Sequence, residues 1–129
     1  MSGDRVPLLL IEDNPADLRL LAELLEEAAP GLFRVEPARR LSEGLEALRT
    51  GPFAAIILDL SLPDTDGVGA IRIVREAAPS TPVIVLSGLL DGEVRRVAAE
   101  QGAAASFVKG EESIAPLVAA IDELIRECP

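Results

Sequence analysis

The sequence predicts a doubly wound α/β domain in which five parallel strands alternate with five helices. Three observations carry this. Short apolar runs recur along the chain, amphipathic stretches of helical period separate them, and glycine or proline punctuates the joins. Three of the runs also meet charge: Leu8-Leu9-Leu10-Ile11 runs into Glu12-Asp13, Ala54-Ala55-Ile56-Ile57-Leu58 into Asp59, and Ser106-Phe107-Val108 into Lys109. Runs of this kind read as buried parallel strands, and in such sheets ligands bind outside the carboxyl ends of the strands. Three carboxylates and one ammonium are therefore expected at one sheet edge. Crowded carboxylates repel and resist ionising unless a cation joins them, which points to a metal-assisted phosphoryl site.

Val6 to Ile11 is the first strand. Asn14 follows as N-cap, with Pro15 at the first helical position and Asp17 near the positive end of the helix dipole. Leu18, Leu21, Ala22, Leu25 and Ala28 mark one face of that helix, and Pro30-Gly31 closes it. Phe33 to Ala38 is the second strand and Ser42 to Thr50 the second helix, with Leu45 and Leu48 inward; Gly51-Pro52 precedes a third strand from Phe53 to Leu60. Pro63-Asp64-Thr65-Asp66-Gly67 makes a turn into a helix of about Val68 to Ala78. Pro82 to Ser87 is the fourth strand, Asp91 to Gln101 a helix whose thin apolar face, Val94 and Val97, reads either as a dock for a partner or as the inner side of an ordinary covering helix, and Ala104 to Lys109 the fifth strand. Ile114, Leu117, Val118, Ile121, Leu124 and Ile125 make the last helix strongly amphipathic.

Composition narrows the function. The 129 residues fit one domain, 1–129, able to bury a core without staples. A sole cysteine, Cys128, cannot form an internal disulfide, and a reducing cytoplasm is the simplest home. Apolar stretches fall far short of the ~20 residues of a membrane span, so no membrane partner is expected. A net charge of −10 and only three aromatic residues leave neither a basic groove nor a stacking platform for nucleic acid. Without histidine the chain cannot carry Ser/His/Asp chemistry or form a phosphohistidine, so any phosphoryl group must come from outside.

Asp59 stands at a strand end among apolar neighbours, where a carboxylate can attack phosphorus if the incoming charge is neutralised. Glu12 and Asp13 are hard oxygen donors suited to Mg²⁺. Lys109 is the only lysine beside eleven arginines, and a compact ammonium reaches a phosphoryl oxygen where a planar guanidinium fork would not fit. Ser87 offers a hydroxyl at the end of the fourth strand, and Gly88 leaves room beside it.

Glu12-Asp13, Asp59, Pro63, Asp66-Gly67, Ser87, Gly102-Ala103, Phe107 and Lys109 stand in the order and at the spacing of a known family, and over essentially its whole length the chain resembles the receiver domains of two-component response regulators. The resemblance implies a flavodoxin-like (βα)5 fold with strand order 2-1-3-4-5. It also implies that Asp59 is the phosphoacceptor, that Asp13, Asp59 and the backbone carbonyl of Ser61 ligate Mg²⁺, and that Glu12 assists through water. Ser87 takes the place of the switch hydroxyl, Phe107 of the switch aromatic and Lys109 of the phosphoryl-binding lysine. The implied partners are a sensor histidine kinase or phosphotransfer protein and a downstream protein target, reached through the face built from the fourth helix, fifth strand and last helix; a homodimer is open. No effector domain and no enzyme activity beyond self-catalysed phosphotransfer and autodephosphorylation are expected.

Three positions depart from the family pattern: Gly88 replaces an alanine, Leu62 a frequent methionine, and Gly110 a proline joined by a cis bond. A cis bond before a non-proline residue costs about 2.5 to 4 kcal/mol, so the Lys109-Gly110 bond is either trans with a reshaped loop or strained. Rival readings fit less well. A haloacid-dehalogenase-type phosphatase expects a second aspartate where Ser61 stands, and a flavin binder would meet Glu12-Asp13 in its phosphate loop. A phosphorylation-independent interaction module of the same fold is the remaining alternative.

Overall fold

The computed structural model describes residues 5–61, 67–88, 91–110 and 113–127. Leu62, the turn from Pro63 to Asp66, the middle of the Gly88-to-Asp91 loop and Cys128 lie outside the described residues. The elements are β1 (Val6–Ile11), α1 (Pro15–Ala28), β2 (Phe33–Ala38), α2 (Leu41–Thr50), β3 (Ala55–Asp59), α3 (Gly69–Ala77), β4 (Val83–Ser87), α4 (Gly92–Glu100), β5 (Ala105–Val108) and α5 (Ile114–Glu127). The strands form one parallel sheet in the order β2-β1-β3-β4-β5, so the expected architecture and order hold.

Side chains alternate across a strand, and that parity divides the core in two. Leu9, Ile11, Ile56, Leu58, Val83 and Val85 face Leu41 of α2, Ile71 and Val74 of α3 and Ala98 of α4. Leu8, Leu10, Ala55, Ile57, Ile84 and Leu86 face Leu21 and Leu25 of α1 and Leu117 and Ile121 of α5. Because both faces are covered, the central strands are apolar in continuous runs rather than alternating with polar residues. β2 lies at one edge of the sheet, a position where a strand can hold Pro37.

Local deviations from the sequence reading are small and physical. β3 is shorter than the predicted Phe53 to Leu60, with Phe53 left as a partly buried cover on the core. α2 starts at Leu41, one residue early, and packs closely on β1 at its glycine: a Cβ at Gly44 would stand 2.5 Å from Ile11 Cδ1, so a larger residue there would require the Ile11 side chain to shift. On α1, Ala28 is exposed rather than inward, while Leu24 packs against the core. Val94 of α4 is spent on the core instead of offering a free docking face, and Val97 is half-buried. Among the described residues no helix is long and apolar enough to cross a membrane.

Candidate functional site

The site is assembled at the carboxyl edge, where β1, β3, β4 and β5 end. Ile11 pairs with Leu58, so Glu12 leaves β1 at the level where Asp59 ends β3. Apolar runs on both strands bury this end: Glu12 and Asp59 are each only 1% exposed. Asp13 is half-exposed, and one carboxylate oxygen from each of Glu12, Asp13 and Asp59 lies within 4.8 Å of the others. Such a set of hard oxygen donors, two of them buried, fits a divalent cation such as Mg²⁺.

The start of α1 fixes the β1 side. Asn14 caps the helix, its Oδ1 accepting from the backbone N–H of Ala16 at 2.9 Å and of Asp17 at 3.1 Å, with Pro15 at the first position as predicted. The Asn14 N–H in turn donates to Glu12 Oε2 at 3.1 Å. On the β3 side, the Ser61 N–H donates to Asp59 Oδ1 at 3.0 Å, which orients the carboxylate and holds Ser61 beside it.

Lys109 closes the constellation. Its Nζ lies 2.8 Å from Glu12 Oε1 and 3.3 Å from each of Asp59 Oδ2 and Asp17 Oδ2. The expected meeting of Lys109 with Asp59 and Glu12 is therefore present. Burial works to lower the pKa of the ammonium, but hydrogen bonding and charge from Glu12, Asp59 and Asp17 outweigh it and the net shift is upward. Because the folded value is the higher one, the stabilisation this charge contributes is complete below its ordinary 10.5 and is lost only in still more alkaline solution. Glu12 is pushed up chiefly by burial, helped by the Asp59 charge, against the lowering pull of Lys109 and the Asn14 N–H.

Ser87 ends β4 and is buried, one residue beyond the Leu86 that pairs with Asp59. Among the described residues, a Cβ built on Gly88 meets nothing within 4 Å. The Lys109 N–H donates to the Ser87 carbonyl at 2.9 Å, tying the ends of β4 and β5 together. Phe107 is half-buried and packs on the α1–α5 side of the core. The Lys109-Gly110 bond is trans, and Gly110 takes φ +155°, in a region that favours glycine.

One residue of the constellation escaped the sequence reading. Asp17 reads there as a helix-terminal charge, whereas its carboxylate shares the Lys109 ammonium. The available signal was its place in the first turn of α1, four residues after Asp13, which keeps it near the sheet edge from which the helix departs.

A parallel (βα)5 sheet with carboxylates from β1 and β3 gathered around a lysine after β5 defines the receiver class of signalling domains. The chain belongs to that family: the model of the response regulator receiver domain matches residues 8–122. It is 34% identical over 119 residues to the transcriptional regulatory protein CusR of Escherichia coli (strain K12), covering 92% of this chain and 51% of CusR. It is 39% identical over 85 residues to the sensor protein TorS of the same organism, covering 66% of this chain and 9% of TorS. The chain thus spans about half or less of the length of these relatives. A response regulator protein from Burkholderia pseudomallei, solved with a phosphorylated aspartic acid, calcium ion and citrate, shares the fold with a TM-score of 0.79 and 24% identity over 95% of this chain and 69% of that one.

Proposed function

We propose that this receiver domain is a phospho-accepting switch in which Asp59 takes the phosphoryl group. The observation that carries the reading is the buried Asp59 carboxylate held 3.3 Å from the Lys109 ammonium beside two further carboxylates. Asp13, Asp59 and the Ser61 carbonyl would hold Mg²⁺, with Glu12 assisting through water. When bound, the ion supplies positive charge that neutralises the incoming phosphoryl oxygens. The bound calcium ion and phosphorylated aspartic acid of the Burkholderia pseudomallei protein support this assignment.

An Asp59 oxygen attacks phosphorus in line, forming an O–P bond as the P–N bond of a phosphohistidine breaks and the imidazole leaves with the electron pair. Lys109 donates to a phosphoryl oxygen and holds the growing charge. Hydrolysis of the acyl phosphate returns Asp59 and inorganic phosphate, so the chain is a stoichiometric acceptor rather than a turnover enzyme. The donor is a sensor histidine kinase or phosphotransfer protein in the cytoplasm.

Ser87 donates to the phosphoryl group as the switch hydroxyl. One hydrogen bond to a charged group contributes roughly 1.5 to 3 kcal/mol, short of the about 5.5 kcal/mol that moves a two-state domain from 1:99 to 99:1. Repacking of Phe107 adds the remainder. The α4–β5–α5 surface then changes and controls a downstream protein or self-association.

Acetyl phosphate with Mg²⁺, followed by intact mass, tests the reading. Wild type gains one phosphoryl adduct and Asp59→Asn gains none. No adduct on wild type, or one that survives in Asp59→Asn, overturns it in favour of a phosphorylation-independent module.

A further inference from the structure

Lys109 has three N–H donors and three carboxylates around it. These partners differ in one respect that matters. The Glu12 and Asp59 side chains are 2% and 1% exposed, whereas that of Asp17 is 46% exposed. A phosphoryl group arriving on Asp59 takes over the contact that the Asp59 carboxylate held, and any further phosphoryl oxygen that draws on the same ammonium competes with Glu12 or Asp17. Releasing Glu12 would strand a buried carboxylate without its cation, a costly outcome. Releasing Asp17 returns its carboxylate to water in the first turn of α1, where the helix N-terminus favours negative charge.

We propose that Asp17 is a releasable counter-ion of Lys109 that slows phosphoryl acceptance by competing with the incoming group for the ammonium. The inference rests on the reading of Asp59 as phosphoacceptor. Asp17 touches no reacting atom and acts only through Lys109, which makes it a positioning residue. Two effects run in the same direction. Until it leaves, Asp17 occupies a donor that the phosphoryl oxygen needs, and its charge repels an anionic phosphodonor approaching the site. Solvent screening at a half-exposed side chain limits the size of both.

The test uses acetyl phosphate, which has no protein surface to dock: the Asp59 oxygen bonds phosphorus while the P–O bond to acetate breaks and acetate leaves with the electron pair. Adduct formation at saturating Mg²⁺ is followed by intact mass for wild type, Asp17→Asn and Asp17→Glu, across a range of ionic strength. Asp17→Asn should accept the group roughly three- to tenfold faster than wild type, an advantage that shrinks as salt rises. Asp17→Glu, which restores a carboxylate within reach of the ammonium, should return the rate toward wild type. A rate for Asp17→Asn equal to or below wild type overturns the inference, as does an Asp17→Glu rate matching Asp17→Asn. A merely structural role for Asp17 would show as a lowered melting temperature without faster, salt-sensitive acceptance, and that result also overturns it. Failure of wild type to form any adduct is distinct and defeats the phosphoacceptor reading itself.

Discussion

β3 and β5 deliver opposite charges to the same point from very different surroundings. Every residue of β3 is buried, and the strand has a hydrogen-bonded neighbour on each side. β5 lies at the sheet edge with no fully buried residue, its last member Val108 is 38% exposed, and the neighbouring α4 contributes a single buried side chain, Ala98. The anionic partner thus sits on a fully buried strand flanked on both sides, while the cationic one follows a partly exposed edge strand. A site built this way holds its carboxylate still and leaves its ammonium, with the helices beside it, on the part of the sheet that yields at lower cost.

Substitutions on the two strands should separate accordingly. The largest effect is expected from Leu58→Ala, which opens a cavity in the buried centre: about 2–5 kcal/mol lost, read from urea denaturation. Lys109→Met comes next. Removing the ammonium leaves Glu12 and Asp59 facing each other without a cation, and in metal-free buffer the loss should be about 1–3 kcal/mol, measured the same way. Val108→Ser should change stability by no more than about 0.5 kcal/mol, as expected of a surface position. If Val108→Ser were as damaging as Leu58→Ala, the edge strand would be as firmly built as the centre and the contrast would vanish.

What could be read from the sequence follows the same division. Apolar runs located β1, β3 and β4 closely because these central strands are buried on both faces, the edge strands β2 and β5 were bounded by the glycine and proline punctuation, and charge at the run ends placed Glu12, Asp13, Asp59 and Lys109 at one edge. Parity along the strands could have assigned residues to the two core faces as well. Features set by side-chain reach rather than strand placement were not legible. Asp17 looked like a dipole charge because its spacing from Asp13 sets it near the sheet edge without saying how far Lys109 extends across that edge. Val94 looked available for docking because a thin apolar stripe does not reveal whether the sheet beneath consumes it. The trans geometry at Gly110 required the loop itself.

The two oxygens of Asp59 are chemically identical in water and distinct in this fold. One accepts from a main-chain amide fixed by the chain leaving β3, the other from the tip of a long side chain. Swapping them by rotating the carboxylate would break both contacts at once. The group is therefore desymmetrised before any reagent arrives, its two oxygens told apart by their partners rather than by the visitor.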